Sequence, residues 1–459
     1  MRSLNVGFGY RKEIKVNLSI ALMKKSIYVS CIFLSAAVTG CSQTKEIARS
    51  AQSIILSDTS IAKGHVGIKV IEPATGKTWY SYQADQYFLP ASNTKLFSLY
   101  AGLKYLGDSI PTLEVTEFAD NIQLRGLGDP TFLHPEYPGQ PGFERLKQLS
   151  KPLFYATPDH FRTTPYGSGW GWDDYESTDM LERAALPVYG NMLAVKGKAG
   201  NAQVTPTGIM TGNLVPLGNG NQFITELHRS FHENSFSGIF NSKSDKSQYI
   251  PFITSVPLAW KLLGDTLHTV INPATNIPAS TPLRKYTIYS RPVDSMYKYM
   301  MLVSENFFAE QTLLMASERF LGYMDDHAMI DTLLKTDLKG IPQQPRWVDG
   351  SGLSRYNLFT PSDMIFILQK LQDSFGLDRM KRILLTGGQG TLRNYYKEAA
   401  GFIYAKTGSL SNNVALSGFL YTKKNKLLLF SIMIGNYPTG GYSVRKLMEE
   451  FLLDIRNKY

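Results

Sequence analysis

Apolar and polar residues alternate near the start of the chain and then change period. The stretch HVGIKVIEPATGKTWYSYQADQYFLP (65–90) alternates on both sides of Thr75 and Gly76, which predicts two strands joined by a turn. After Ser92 the apolar residues recur at helical spacing. They are Leu96, Leu99, Tyr100, Leu103 and Leu106. We therefore predict that an amphipathic helix follows the second strand.

The rest of the chain divides into a mixed middle and a regular end. Residues 114–288 are rich in Gly, Pro and polar residues and are strand-like where they are regular, so we interpret them as a mainly β insertion. Residues 290–322 have a strongly helical pattern, and three apolar strand-like runs and a final helical run follow from residue 402. The pattern predicts an α+β fold in which helices flank an antiparallel sheet built from both chain ends.

The N-terminal residues indicate export. From Met23 the chain reads MKKSIYVSCIFLSAAVTGCSQ, with two lysines, a short apolar run and small residues before Cys41. This pattern predicts a signal peptide over 23–40, too short to span a membrane as a helix. We expect residues 1–22 to precede the true start, and Cys41 to be the lipid-modified first residue of an exported, periplasmic protein anchored to a bacterial membrane. An uncleaved anchor and a plain secretory signal are the alternatives.

Removal of the leader changes the charge balance. The chain has 459 residues and a formal net charge of +10, and residues 1–40 contain six basic residues and one acidic residue, which supply five of those charges. The remaining mild excess, without a basic stripe interleaved with aromatics, gives no indication of nucleic-acid binding. An anionic cell-wall polymer would suit it. Because the two cysteines, Cys31 and Cys41, both lie in the leader region, we expect no disulfide in the exported body.

Several familiar motifs are excluded by spacing. The run TGKT at 75–78 resembles the end of a phosphate-binding loop, but Ile71 stands where its first glycine belongs. No GxSxG sequence occurs, and the seven histidines form no HExxH motif. His228 and His232 are four residues apart near Glu233, which we interpret as a solvated helix face. We therefore expect no metal and no cofactor, and a Ser-His-Asp hydrolase has no support.

A serine nucleophile then needs another base, and a lysine three residues later on a helix can serve. Both side chains share one helical face, and a lysine that is buried near a second cation loses proton affinity. The SxxK pattern starts at Ser42, Ser60 and Ser92. Ser92, followed by Lys95, is the one that opens a long amphipathic helix. Its helix N-terminus would also stabilise a developing oxyanion.

Two further motifs accompany Ser92 in a fixed order. Ser304 and Asn306 cannot share a helical face, which predicts a tight loop that presents both inward. The triplet Lys406-Thr407-Gly408 follows in a strand-like run, and Gly408 would let a substrate backbone approach the sheet edge. SxxK, then SxN 212 residues later, then KTG 102 residues after that is the ordered set of penicillin-recognising serine enzymes.

From about residue 65 to the end, the sequence resembles the penicillin-binding protein 4 type of D-alanyl-D-alanine carboxypeptidase/endopeptidase. The segments that carry the resemblance, besides the three motifs, are LRGLGDPTF (124–132), GWGWDDYES (169–177), SENFFAEQTL (304–313), DGSGLSRYN (349–357) and GTLRNYY (390–396). The resemblance implies a β-lactamase/transpeptidase-like catalytic domain over 41–113 plus 289–459, with the insertion over 114–288.

The resemblance also implies catalytic roles. Ser92 would attack the carbonyl between two terminal D-alanines, with Lys95 as general base. Ser304 would relay a proton to the leaving amine. Lys406 would keep Lys95 neutral by like charge, and would bind the terminal carboxylate together with Thr407.

Binding roles follow in the same way. Asn306 would hold the substrate amide and Lys95, and the backbone N–H groups of Ser92 and Ser409 would form the oxyanion hole. Asp174 and Arg355 match residues that read the amine and the carboxylate of a diaminopimelate side chain. A pairing of Asp174 with Arg355, or a role in bracing a loop, is the alternative for these two residues.

We therefore expect a serine D-Ala-D-Ala carboxypeptidase acting on peptidoglycan stem peptides, with D-alanyl endopeptidase activity as a second activity that the resemblance allows. β-Lactam antibiotics would acylate it. A β-lactamase is the runner-up, but no ExxLN string occurs to supply a deacylating glutamate. A catalytically silent wall-binding lipoprotein is the third hypothesis, and the intact motifs argue against it.

Overall fold

The computed structural model describes residues 44–198, 201–209, 211–216, 226–240, 247–277 and 281–459. The predicted leader, with residues 1–22, the signal peptide over 23–40 and Cys41, lies outside these ranges.

The helices are distributed over the whole described chain. They are α1 (residues 44–51, continued by a π-helical turn, Gln52–Leu56), α2 (Lys95–Tyr105), α3 (Pro141–Leu146), α4 (Val256–Leu267), α5 (Val293–Leu302), α6 (Asn306–Leu321), α7 (Asp326–Lys335), α8 (Pro361–Phe375), α9 (Leu377–Ile383) and α10 (Gly441–Lys458).

Within the described ranges, the strands fall into four sheets. They are β1 (His65–Glu72), β2 (Lys77–Tyr82), β3 (Ser109–Glu117), β4 (Ile122–Gly126), β5 (Leu153–Tyr155), β6 (Met192–Lys198), β7 (Asn201–Thr205), β8 (Thr211–Pro216), β9 (Glu226–Arg229), β10 (Phe236–Phe240), β11 (Gln248–Pro251), β12 (Asn272–Pro273), β13 (Arg284–Pro292), β14 (Leu385–Thr386), β15 (Ile403–Leu410), β16 (Asn413–Tyr421) and β17 (Leu427–Gly435).

The main sheet is antiparallel and is built from both chain ends, as predicted. Its order is β14-β15-β16-β17-β1-β2, and every neighbouring pair is antiparallel. The turn between β1 and β2 contains Gly76, whose φ of +68° suits a residue without a Cβ. The hairpin predicted around Thr75 and Gly76 is therefore confirmed.

Both faces of the main sheet are buried. Along β16, Ala415 and Phe419 contact the core beneath α2, α5, α6 and α8, whereas Val414 and Leu416 contact the core beneath α1 and α10. Successive side chains of a strand point to opposite faces, so a strand covered on both sides must be apolar at nearly every position. This explains the continuous apolar runs near the C-terminus.

The middle of the chain forms separate sheets around a third core. A five-stranded sheet has the order β12-β5-β4-β3-β13, and two three-stranded sheets have the orders β8-β10-β9 and β11-β6-β7. The predicted boundaries, 113/114 and 288/289, both fall inside strands, because β3 pairs with β13 from Ser109 opposite Pro292 to Glu117 opposite Arg284. The described middle also contains a twelve-residue helix, α4, which the strand-like reading of this region missed. His228 is exposed as predicted, but it lies on strand β9 and not on a helix.

No helix in the described ranges is long and apolar enough to cross a bilayer.

Candidate active site

Ser92 lies in a tight turn that leads into the central helix. The 3-10 turn Ala91–Thr94 precedes α2 directly. Thr94 Oγ1 donates to the Ala91 carbonyl at 2.9 Å, and Asn93 Nδ2 donates to the Lys406 carbonyl on β15 at 3.1 Å. The turn that holds Ser92 is thereby tied both to itself and to the main sheet.

The helix after Ser92 differs from the prediction in one respect. Residues 95–103 of α2 are buried on every side, because α6, α8 and the main sheet surround the helix. Its polar side chains are therefore enclosed too, and Lys95 is 0% exposed.

Lys95 Nζ has three hydrogen-bond partners. It lies 2.8 Å from Ser92 Oγ, 2.6 Å from Asn306 Oδ1 and 2.9 Å from the Ser351 carbonyl oxygen. The amide and carbonyl oxygens can only accept, so they take the two N–H bonds of a neutral amine. The remaining lone pair then faces Ser92 Oγ, which is the arrangement that a general base needs.

Asn306 is oriented by a backbone carbonyl. Its Nδ2 donates to the Asp179 carbonyl at 2.8 Å, and this contact fixes Oδ1 as the atom that faces Lys95. Ser304 precedes α6 in the loop after α5, with a left-handed φ of +65°. The tight loop predicted for the SxN motif is confirmed, and the strained backbone turns the Ser304 hydroxyl toward the main sheet.

The second acceptor for Lys95 belongs to the turn over residues 349–352. Glu310 accepts from the Ser351 N–H at 2.7 Å, and Asp349 accepts from the Gly352 N–H at 2.8 Å. Gly352 has a φ of +84°, and a Cβ there would lie 1.9 Å from the Ala91 carbonyl oxygen. This turn therefore packs directly against the residue that precedes Ser92.

Lys406 lies behind the serine of the SxN motif. Its Nζ donates to Ser304 Oγ at 2.8 Å and to the Thr407 carbonyl at 2.7 Å, and the residue is 0% exposed. Ser304 and Lys406 thus form a second Ser–Lys pair beside that of Ser92 and Lys95.

Gly408 has a different neighbour from the one predicted. A Cβ at this position would lie 2.5 Å from the Pro90 carbonyl oxygen, so the close approach belongs to the chain's own turn before Ser92. The expectation that Gly408 also makes room for a substrate backbone stays a prediction. β14 pairs with β15 at Tyr404 and Ala405, and the edge of β15 beyond them borders the cleft.

Burial governs the protonation of the two lysines. Desolvation lowers the pKa of Lys95 to about 8, although nearby carboxylates, Asp349 first, oppose the shift. Burial, and then the charge of Lys95, hold the pKa of Lys406 well below its usual value. The predicted like-charge effect therefore acts on Lys406, whereas Lys95 loses its proton mainly because it is buried.

A cleft of about 460 Å³ opens over the pair of Ser92 and Lys95. Its lining is mostly polar and includes two arginines and one aspartate. The lining residues are Ser92, Asp179, Val303, Ser304, Asn306, Gly352, Leu353, Thr391, Arg393, Asn394, Tyr395, Thr407, Ser409, Leu410 and Arg445. The volume falls within the range of small-molecule and peptide sites.

The structure brings most of the predicted site residues together, with two exceptions. Ser92, Lys95 and Asn306 form one hydrogen-bonded group, and Ser304 and Lys406 form a second one. Thr407 and Ser409 line the cleft. Asp174 and Arg355 are exposed and are not lining residues. They form no ion pair with each other, and their role in substrate recognition stays a prediction.

Sequence reasoning missed several residues of the site. The Ser351 and Asp179 carbonyls are backbone atoms, and no residue type signals them. Trp170 Nε1 donates to Asp349 Oδ2 at 2.9 Å, so the insertion supports the turn over 349–352. Arg445 reaches the cleft from α10, and no motif in the sequence marks it.

Comparisons with known proteins agree with this geometry. The D-Ala-D-Ala carboxypeptidase 3 (S13) family model matches residues 48–153 and 242–453. Penicillin-sensitive carboxypeptidase A of Dictyostelium discoideum is 22% identical over 440 residues, which cover 82% of this chain and 83% of that protein. D-alanyl-D-alanine carboxypeptidase DacB of Haemophilus influenzae is 26% identical over 180 residues, 37% of each chain.

A solved structure shares the fold. Crystalline penicillin binding protein 4 (dacB) from Haemophilus influenzae superposes with a TM-score of 0.66 at 17% identity, covering 90% of this chain and 98% of that one. The α+β prediction is thereby confirmed. The family match includes all three motifs, and it identifies the chain as a member of the D-Ala-D-Ala carboxypeptidase 3 (S13) family, serine hydrolases that act on peptidoglycan.

Proposed function

We propose that this D-Ala-D-Ala carboxypeptidase works through an acyl-enzyme on Ser92, with Lys95 as general base. One observation carries the proposal. Lys95 Nζ is fully buried, lies 2.8 Å from Ser92 Oγ and has two fixed acceptors for its own hydrogens. A neutral amine in this position has its lone pair available for the Ser92 proton alone.

In the acylation step, Ser92 Oγ bonds to the carbonyl carbon of the penultimate D-alanine and passes its proton to Lys95. The peptide C–N bond then breaks, and the proton reaches the leaving amine of the last D-alanine by way of Ser304. Lys406 Nζ, 2.8 Å from Ser304 Oγ, holds that hydroxyl in place. Water hydrolyses the ester and restores Ser92.

The oxyanion that forms on the substrate carbonyl would be held by the backbone N–H groups of Ser92 and Ser409. Ser92 and Ser409 both line the cleft, from the nucleophile turn and from β15 respectively. Preorganised donors of this kind supply roughly 2.7–4 kcal/mol of transition-state stabilisation each.

We further propose that β-lactams acylate Ser92 and that the resulting acyl-enzyme is hydrolysed slowly. The sequence contains no ExxLN string to activate a deacylating water, which separates this chain from class A β-lactamases. Release of hydrolysed penicillin at rates on the order of 10 per second, typical of productive enzymes, would instead assign the protein to the β-lactamases.

The substrate range is proposed to include D-alanyl cross-links as well as free D-Ala-D-Ala ends. The charged residues of the cleft lining lie in the 3-10 turn Thr178–Met180 (Asp179), directly after the 3-10 turn Gly390–Leu392 (Arg393) and in α10 (Arg445). We also propose that the protein is exported and anchored by lipid at Cys41, where it would meet polymeric peptidoglycan.

Two purified muropeptides test the function. One is a monomer that ends in D-Ala-D-Ala, and the other is a cross-linked dimer. The wild type should release D-alanine from the first, and endopeptidase activity would convert the second to monomers. A Ser92→Ala variant should do neither. Failure of the folded wild type to cut either substrate would refute the proposed function.

A further inference from the structure

The active-site cleft carries two arginines that lack an acidic partner. Arg393 and Arg445 both line it. Among the residues that the structure describes, neither guanidinium forms an ion pair with a carboxylate. The adjacent Lys446 differs, because it pairs with Glu449 at 2.7 Å and is not a lining residue. Asp179 is the acidic side chain in the described lining.

Arg445 is held in a defined position. It is half-buried in the second turn of α10, and its Nη2 donates to Ser409 Oγ at 2.7 Å. Ser409 follows Gly408, which packs against the turn that holds Ser92. The guanidinium is therefore fixed beside the edge of β15, on the side of the cleft that also carries Thr407 and Ser409.

The lysine that the resemblance assigns to the substrate carboxylate does not reach this surface. Lys406 is 0% exposed and donates to Ser304 and to the Thr407 carbonyl. It is absent from the lining of the cleft. The accessible cations there are the two arginines, and Arg445 is the one that is anchored by a hydrogen bond.

We propose that Arg445 reads the free carboxylate of the residue that leaves the substrate. This inference rests on the proposed function and adds a specificity-determining residue outside the three motifs. Arginine presents a planar fork of donors that matches a carboxylate. The Arg445 guanidinium forms no ion pair with a carboxylate of the described residues, and its contact with Ser409 is exposed. Its remaining donors are therefore open to a substrate carboxylate.

The proposal predicts a preference for substrates whose leaving residue is a free acid. A terminal carboxylate would lie beside Thr407 and Ser409, in contact with the Arg445 fork. Arg393, which is exposed, would add attraction at longer range. A substrate with a C-terminal amide would lose the Arg445 contact but could still present its carbonyl to Ser92.

Matched peptides and matched variants test the proposal. A stem-peptide analogue that ends in D-Ala-D-Ala is prepared as the free acid and as the C-terminal amide. We expect Arg445→Gln to lower kcat/KM for the acid by roughly tenfold or more, the effect of a lost charge-assisted hydrogen bond, and to leave the amide unchanged. Arg445→Lys should fall between Arg445→Gln and the wild type.

Lys446→Gln is the control for net charge, since it removes one positive charge from the next position of the same helix. It should leave both peptides unaffected. Acylation of Ser92 by a penicillin and by its methyl ester gives the same comparison where turnover of the amide is too slow to measure.

The outcomes separate the inference from the proposed function. Equal losses on acid and amide, or no loss on either, would overturn the role of Arg445. If Lys446→Gln lowered kcat/KM for the acid as much as Arg445→Gln does, the effect of Arg445 would come from net positive charge and not from a specific contact. A folded wild type that neither cuts the acid nor takes up penicillin would instead refute the proposed function.

Discussion

At the scale of single residues, the site depends on how two acceptors direct one amine. Asn306 Oδ1 and the Ser351 carbonyl leave the lone pair of Lys95 facing Ser92. Burial then makes the neutral amine accessible near neutral pH, since it lowers the pKa of Lys95 to about 8. With the ordinary lysine pKa of 10.5, only about 0.1% of the lysine would be neutral at pH 7.5.

The pKa of Lys95 predicts the pH dependence of acylation. The base acts when it is deprotonated, so the rate should rise with pH and level off above about 8, the pKa of Lys95. Activity is lost as pH falls through that value, because the lysine gains a proton. Measurement of the rate at which a neutral β-lactam acylates Ser92, between pH 5 and about 10, gives the pKa at which this rate rises. A rise centred near the ordinary lysine pKa, or a rate that does not depend on pH, would contradict the role of Lys95.

The sequence predicted the residues of this group better than it predicted their partners. Ser92, Lys95, Ser304, Asn306 and Lys406 occur in motifs whose order is informative. The partners that aim them include carbonyl oxygens of the main chain, at Asp179 and Ser351. Every residue type carries such an oxygen, so a sequence cannot mark which one will be used.

At the scale of elements, the turn over 349–352 and the turn that holds Ser92 fit together without space for a side chain. Gly352→Ala would combine a left-handed φ of +84° with a Cβ 1.9 Å from the Ala91 carbonyl oxygen. We expect it to lower the free energy of unfolding by more than about 3 kcal/mol and to abolish penicillin acylation.

Gly322→Ala is the matched control for this steric effect. Gly322 has a similar φ of +83°, and nothing lies within 4 Å of its Cβ position. Its cost should be only that of the backbone, roughly 1–2 kcal/mol, with acylation intact. Urea unfolding and acylation rates measure both effects. Equal behaviour of the two variants would exclude the close contact with Ala91 as the cause.

The inserted segment around Trp170 supports the same turn. Trp170→Phe keeps a ring but removes the donor to Asp349 Oδ2. We expect the acylation rate to fall by a factor equivalent to about 1.5–3 kcal/mol, as for a lost hydrogen bond to a charged group. Substrate KM should change little, because the effect reaches Lys95 through the Ser351 carbonyl and does not involve binding.

Trp172→Phe is the control in the same segment. Trp172 is 73% exposed and makes no described contact with the turn over 349–352. Its replacement should leave the acylation rate within about 0.5 kcal/mol of the wild type. A similar loss in both variants would mean that the segment acts through its overall conformation and not through the indole N–H of Trp170.

Element prediction succeeded where one period dominated. The hairpin around Gly76 and the apolar strands β16 and β17 were read correctly, because alternation or continuous burial leaves a clear pattern. α4 was missed among the polar residues of the middle region. The features that mark α4 in the sequence are confined to its start. Ser255 caps the helix by accepting from the Leu258 N–H, and Pro257 occupies the first turn.

At the scale of the whole molecule, the inserted region is part of the active site. The family match leaves out residues 154–241, yet this segment supplies Trp170, the Asp179 carbonyl and Arg183. Arg183 is buried and pairs with Asp326 at 2.7 Å. Removal of residues 154–241 should therefore abolish acylation of Ser92, because it removes groups that position the catalytic residues.

The fold class was predictable, whereas the division into domains was not settled. Helices on both faces of a sheet built from both chain ends follow from the apolar runs, and the α+β class is confirmed. The catalytic domain over 41–113 plus 289–459, with the insertion over 114–288, stays a prediction. β3 and β13 pair with each other, and each strand contains one of the two predicted boundaries, so the five-stranded sheet includes residues from both sides of each boundary. Two strands that pair over a long sequence separation have no local pattern that predicts the pairing.

The proposed lipid anchor is tested on the intact chain. We expect membrane-extracted protein to carry a lipid on Cys41 as its first residue. Two acyl chains on this residue would suffice for stable anchoring. Cys41→Ser should release the protein to the soluble periplasmic fraction. Cys31→Ser, the other cysteine of the leader region, should not. Mass spectrometry that finds an unlipidated N-terminus elsewhere would refute the anchor.

The identity of the nucleophile is the central claim, and peptide mapping of a penicillin adduct tests it most directly. Three SxxK serines compete in the sequence, and Ser60 is the alternative within the described chain, where its hydroxyl donates to Asp58. After incubation with a labelled penicillin, the label should map to the peptide that contains Ser92. It should disappear in folded Ser92→Ala and persist in Ser60→Ala. Label on Ser60, or retained label in Ser92→Ala, would contradict the account.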